Sequence, residues 1–183
     1  FSGSNRHMLQ SMFNDKNRPF YNSCEIMKLE RISAYDYESF IQKEALEKWS
    51  KPLMKNIIDQ IFTLSELHPS YVNRICSYFW LINIYPTIEK MNAYWENFVE
   101  SKSCEFTKDI LRLSRNQRRL LKHLASNPTK QPSGQQVYLK TGLSEASLRQ
   151  ALNKLILTDY IYRDKEGYIR VLDPAFRDYI NKL

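Results

Sequence analysis

Apolar residues along most of this chain recur at the three- and four-residue steps that place them on one side of a helix. The first residues differ. In FSGSNRHMLQSMF a hydrophobic residue precedes a small polar turn, after which Ser4 can cap a helix with Met8, Leu9, Met12 and Phe13 on one face. A loop, NDKNRPFYN, leads to EIMKLERI at 25–32, where Ile26, Lys28 and Glu30 alternate with Met27, Leu29 and Arg31. That alternation predicts a short strand. Phe1 reads as the last step of a buried strand, so strand, helix, loop, strand is expected over 1–32. Such an order is the trailing edge of an α/β sheet that begins earlier.

From Ser33 the period is helical. Ser33 is expected to cap a helix over 34–48 that buries Tyr37, Phe40 and Ile41. Pro52 suits the first turn of a second helix, with Leu53, Ile57, Ile61 and Leu64 on one face. His68-Pro69 opens a third, with Val72, Ile75, Cys76, Phe79 and Trp80 inward. Pro86 starts a fourth, carrying Ile88, Met91, Trp95, Phe98 and Val99, and a short fifth covers 103–112. Residues 33–112 therefore read as a helical bundle.

Residues 113–183 read as a separate module. Ser114 and Gln117 form an S-x-x-Q capping box ahead of Leu120, Leu121 and Leu124. After the loop SNPTKQPSG, Ser133 is expected to cap a short helix with Val137 and Tyr138 inward, ended by Gly142. Ser144 caps a third helix, 144–157, burying Leu148, Ala151, Leu152 and Leu155. YIYRDKEGYIRVL predicts a hairpin turning at Asp164–Gly167, and Asp173-Pro174 launches a last helix with Phe176, Tyr179 and Ile180. Three helices followed by a hairpin is the order of a winged helix-turn-helix. The expected fold class is thus mainly α with a small β component: the remnant of an α/β sheet, a helical bundle, then a winged helix.

Composition sharpens this picture in three places. Apolar residues make up 43% and aromatics 13%, enough to build packed cores. The longest apolar stretch, YFWLINIY, is too short to span a bilayer, and no membrane partner is expected. Cys24, Cys76 and Cys104 are odd in number and far apart, which fits buried free thiols in a reducing, cytoplasmic setting. The net charge is +7, and residues 113–183 hold 13 basic and 6 acidic side chains, so the whole excess lies there. An anionic partner, either DNA or an acidic protein surface, is one reading of that asymmetry; docking on an acidic surface of the same protein is the other.

Candidate chemistry is sparse. His7, His68 and His123 are scattered and lack metal-ligand spacing. Only four glycines occur, and no G-x-x-x-x-G-K-[ST] cradles a phosphate, so no self-sufficient catalyst and no cofactor of its own are expected. The helix at 144–157 offers Ser147, Arg149, Gln150, Asn153 and Lys154 to solvent, and the hairpin tip adds Arg163 and Lys165. Arg, Gln and Asn can read base edges and Lys suits phosphates. Exposed helix faces carry the same residues without any such role, and many winged helices contact only protein.

Taken together, FSGSNRHMLQSMF, RPFY, the LERI strand, HPSYVNRICSYFW and the terminal DPAFRDYI resemble the second half of a P-loop ATPase. The family is the archaeal-type ATPases of the AAA+/STAND group. The resemblance implies an N-terminal nucleotide-binding domain as the missing partner of a helical lid (33–112) and a winged helix (113–183). It implies ATP and magnesium as cofactors of the whole protein. FSGS resembles the end of the sensor 1 strand, pointing to Ser2 and Ser4, and HPSYV resembles the lid motif, pointing to His68 and Pro69. Lid and winged helix would act as a nucleotide-dependent switch arm, with no activity in this part alone. The other reading is a DNA-binding or protein-docking module without ATPase activity. Residues 1–32, as sheet edges without neighbours, are expected to recruit a second copy of the chain.

Overall fold

Ser33 caps the helix that follows it as its chemistry demands: its Oγ accepts from the Asp36 N–H at 3.1 Å. The computed structural model describes residues 12–23 and 31–183. The expected strands and most of the helix within 1–32, with Ser2, Ser4 and the contact to a second copy, lie outside the described residues. What is described is mainly helical, with one two-stranded antiparallel sheet. It divides into two compact units, residues 31–104 in one, and 12–23 with Glu105–Leu183 in the other.

In the first unit, α1 (Ala34–Trp49) buries Tyr37, Ile41 and Ala45 at four-residue steps and ends on Ser50 in a left-handed conformation. Phe40, expected inside, is 50% exposed. It sits one step, about 100°, round the helix from Ile41 and off the buried stripe. Helix α2 (Lys55–Ser65) starts later than Pro52. Gln42 accounts for the delay: its amide accepts from the Leu53 N–H at 2.9 Å and donates to the Leu53 carbonyl at 2.8 Å. Leu53 is thereby held to α1 ahead of the helix, and Ile57, Ile58 and Ile61 form the buried face, with Leu64 only half-buried.

Helix α3 (Pro69–Leu81) buries Val72, Ile75, Cys76 and Phe79, leaving Trp80 at its margin. Helix α4 (Ile88–Ser101) is capped by Thr87, whose Oγ1 accepts from the Lys90 N–H, so Pro86 stays outside the helix. Met91, Trp95, Phe98 and Val99 face inward, while Ile88 is only partly covered. The Trp95 ring meets Tyr71 edge-on at 5.4 Å and Phe98 at 5.6 Å, tying α4 to the start of α3.

The second unit opens with α5 (Ser103–Arg112), which crosses the division between Cys104 and Glu105. Phe106 lies 5.2 Å from the Phe176 ring and 5.6 Å from Tyr179, so α5 packs with the C-terminal elements. Helix α6 (Arg115–Ser126) begins with the expected capping box, both Ser114–Gln117 bonds being present. Helix α7 (Gln135–Thr141) starts one residue later than read, with Gly134 and not Ser133 at its cap, and ends on left-handed Gly142. Its buried pair is Val137 and Thr141; Tyr138 is half-buried. Helix α8 (Glu145–Leu157) is capped by Ser144 and buries the four expected residues.

Strands β1 (Ile161–Arg163) and β2 (Ile169–Val171) pair with Tyr162 opposite Arg170. Gly167 takes φ +89° in the turn, a conformation glycine adopts without steric cost. Thr129, read as loop, adds a bridge to Ile169, its carbonyl accepting from the Ile169 N–H at 2.8 Å. Helix α9 (Pro174–Lys182) starts under the Asp173 carboxylate, which accepts from the Ala175 and Phe176 N–H groups. At the centre is α6, packed by α7, α8, α9 and β2.

Of the cysteines expected to be buried, Cys76 is buried and Cys104 is exposed on the outer side of α5. Burial pushes the Cys76 thiol up to about 12, so it stays protonated and unreactive.

Candidate functional site

Two places collect the candidate residues. The first is the corner between α2 and α3. Glu66 and Leu67 both adopt positive φ, +46° and +58°, although neither is glycine. Each such residue costs about 1–2 kcal/mol of steric strain, which neighbours must offset. Three contacts do so. Ser65, fully buried, donates its hydroxyl to the Ile61 carbonyl at 2.6 Å. The His68 N–H closes the turn on the Ser65 carbonyl at 2.9 Å. Arg31 donates to the Glu66 carbonyl and pairs with its carboxylate at 3.5 Å.

The corner presents His68 at the N-cap of α3, with Pro69 as its first residue. Proline there is pre-set for the helix, and its missing N–H is one the first turn leaves unused. The His68 ring lies 5.0 Å from Tyr71, which in turn packs on Trp95 and Phe98. The lid-like pair is therefore mounted on a strained turn and backed by an aromatic cluster. Nothing in HPS itself signals the strain, because Glu and Leu are not turn residues.

The second place is the charged surface of the C-terminal unit. On α8, Arg149, Gln150, Asn153 and Lys154 are exposed and Ser147 is half-buried, bonded to the Ser144 hydroxyl at 3.0 Å. Arg149 is already engaged, 2.8 Å from Glu145 one turn earlier. At the hairpin tip Arg163 donates to the Gly167 carbonyl at 2.7 Å, and Lys165 is exposed. Arg170 holds Asp164 at 2.6 Å. Burial acts to raise the Asp164 carboxyl, but hydrogen bonds from Arg170 and the Tyr168 N–H outweigh it and hold the group below its ordinary range. The tip is braced by its own charges. Surface pairs of this kind contribute little and are readily exchanged.

A different cationic face was missed in reading the sequence. Arg115, Arg118, Arg119 and Lys122 occupy positions i, i+3, i+4 and i+7 of α6, and all four are exposed. Their spacing is visible in RNQRRLLK, but the sequence does not record that all four side chains stay exposed. Next to them, His123 is lowered below its ordinary value by burial first and then by the charge of Lys140. The folded chain keeps this imidazole neutral at a pH where the unfolded chain begins to protonate it. Stability therefore falls as pH drops through about 6.5 toward the lower folded value. Melting curves between about pH 7.5 and 5.5 are expected to show that loss, and His123→Gln to flatten it. An unchanged slope in the variant would remove His123 from the account.

The donors a magnesium nucleotide needs are a glycine-rich backbone cradle, its lysine and a nearby carboxylate. No such cradle occurs in the sequence, and among the described residues no group of three or more His, Cys, Asp or Glu could hold a metal. ATP and magnesium are implied by the resemblance for the whole protein. Among the described residues no helix is long and apolar enough to cross a membrane.

No protein-family model and no curated protein matches the sequence. Among solved structures, the chain is similar to a Walker-type ATPase of Pyrococcus abyssi, with a TM-score of 0.69 and 15% identity. The likeness covers 97% of this chain and 51% of that one, so the chain spans about half the length of that ATPase. At this identity the likeness is one of fold: the mainly helical arrangement with its small sheet is one found within a Walker-type ATPase.

Proposed function

We propose that this chain is the helical-lid and winged-helix part of an AAA+/STAND-type ATPase, serving as a switch arm that follows the nucleotide state of the rest of the protein. The observation that carries the reading is the fold likeness over 97% of the chain to about half of a Walker-type ATPase. The element order supports it, since α6, α7, α8 and the β1–β2 hairpin follow one another as in a winged helix-turn-helix. The strained corner supports it as well. Backbone held in sparsely populated conformations clusters at ligand clamps and switch regions, and here it sits beside the lid-like His68 and Pro69.

In this reading Ser2 and Ser4 belong to a sensor strand, and His68 with Pro69 closes over the nucleotide held elsewhere. Unit 31–104 is the lid, and the C-terminal unit is the arm that transmits its position. Hydrolysis belongs to the whole protein. This part contributes the closing corner and the docking surface.

The deciding experiment starts from the reading frame upstream of Phe1, where a G-x-x-x-x-G-K-[ST] is expected. The longer product should hydrolyse ATP, and the 183-residue chain by itself should give no saturable heat with Mg-ATP at micromolar ligand. An upstream frame without that motif, or a micromolar dissociation constant for this chain alone, would sink the reading.

A further inference from the structure

We infer that the outer face of α6 is a docking site for an acidic amphipathic helix of a partner protein, its carboxylates meeting Arg115, Arg118, Arg119 and Lys122 and one apolar side chain entering the groove beside them. The inference does not depend on the ATPase reading.

Three observations carry it. The first is charge left uncompensated. Glu145, Asp164, Asp178 and Asp109 are each engaged with an arginine of their own, respectively Arg149, Arg170, Arg177 and Arg112. Among the described residues no carboxylate lies within 4.0 Å of the four cations of α6. Four basic side chains are thus displayed, not neutralised, on this helix.

The second is geometry. Residues at i, i+3, i+4 and i+7 fall within an arc of about 100°, and seven residues of rise spread them over about 10 Å. Their helix is held by α7, α8, α9 and β2, so the spacing is fixed in advance of binding. An approaching helix repeats its own side chains at the same three- and four-residue steps, so acidic residues at that spacing meet the cations in register.

The third observation decides the class of partner. An open groove of about 190 Å³ runs beside the stripe, lined by Ile110, Leu121, Ile180 and Leu183, with Arg118 and Lys122 at its edge. Its floor is aliphatic. A nucleic acid would use the cations and leave the groove wet, because no aromatic ring among its lining residues offers a base a stacking surface. An acidic helix carrying a leucine or phenylalanine uses both.

The test uses the whole 183-residue chain and three fluorescent probes: an 18-residue helical peptide of Glu and Leu in amphipathic order, poly-glutamate of the same length, and mixed-sequence duplex DNA. Anisotropy titrations are expected to rank the amphipathic peptide first, about tenfold or more tighter than poly-glutamate, and to weaken about tenfold when salt rises from about 50 to 300 mM. Arg118→Glu with Lys122→Glu should abolish peptide binding, and the milder Arg118→Gln with Lys122→Gln should weaken it about tenfold, while Lys43→Gln, an exposed lysine of α1, should leave it unchanged. Thermal melting of each variant checks that the fold persists. Equal affinity for peptide and poly-glutamate, tighter binding of duplex DNA, no peptide binding at low salt, or binding indifferent to the α6 variants would each overturn the proposal.

Discussion

Leu120→Ala is expected to cost the C-terminal unit about 2–5 kcal/mol, enough to leave most of a marginal domain unfolded near body temperature. The side chain is fully buried at 0% exposure, on the helix against which α7, α8, α9 and β2 all pack. Its loss removes transfer energy and leaves a hole in the core that α6 builds with α8, where Leu148 and Leu155 are likewise at 0% exposure. The helix cannot shift to fill that hole, because the Ser114–Gln117 capping box and its packing on four elements hold it in place. Hydrogen exchange of α6 and α8 amides is the measurement, with Leu139→Ala as the control. Leu139 is 77% exposed, and its truncation should change stability by less than about 0.5 kcal/mol. Equal effects at the two leucines would contradict the packing described for this unit.

Trp95→Ala should be as damaging to residues 31–104, at about 3–5 kcal/mol. Trp95 is 3% exposed and joins Tyr71 and Phe98, so its removal opens the cluster that backs the His68 corner. Two consequences should appear together. The unit loses stability, and the left-handed pair Glu66–Leu67 loses part of the packing that offsets its strain. All three tryptophans, Trp49, Trp80 and Trp95, lie in this unit, so emission during urea unfolding reports on it selectively. In Trp95→Ala the remaining two should show a midpoint shifted to much lower urea. A shift of less than about 1 kcal/mol equivalent would mean that the aromatic cluster is not the keystone of the corner.

What could be read from the sequence was whatever is decided within a few residues. Ser33, Ser114, Ser144 and Asp173 cap their helices as expected, because a short side-chain oxygen three residues ahead of an amide needs no help from elsewhere. Boundaries moved where a distant group intervened. Gln42 delays α2, and Thr129 reaches Ile169 across forty residues of chain. Phe40 was misplaced because periodicity locates a stripe only to within one neighbouring position.

The site was less legible for two separate reasons. At the corner, His68-Pro69 declared itself, but the strain beside it rests on Glu66 and Leu67, whose identities favour helix and not a left-handed turn. The Ser65 hydroxyl on the Ile61 carbonyl, the His68 N–H on the Ser65 carbonyl and the tertiary Arg31 contacts together make that conformation tenable. On α6 the four cations stood at plain helical spacing. Their meaning depends on which acids are already engaged, and a sequence does not record that.

The Gln42 contact has a consequence for how α1 and α2 keep their alignment. Its side-chain amide meets one residue's N–H and carbonyl together, as an adjoining strand would, and so lends a single rung of sheet to a segment with no strand beside it among the described residues. Only a side chain that both gives and takes at that reach can stand there. Glutamate has no proton to give at neutral pH, leucine has neither function, and asparagine is one methylene too short. The vertical position of one helix against the next is thus gauged by the length of a single amide arm, and a chain that kept every buried isoleucine while changing this residue would pack the same side chains without a mark to align them by.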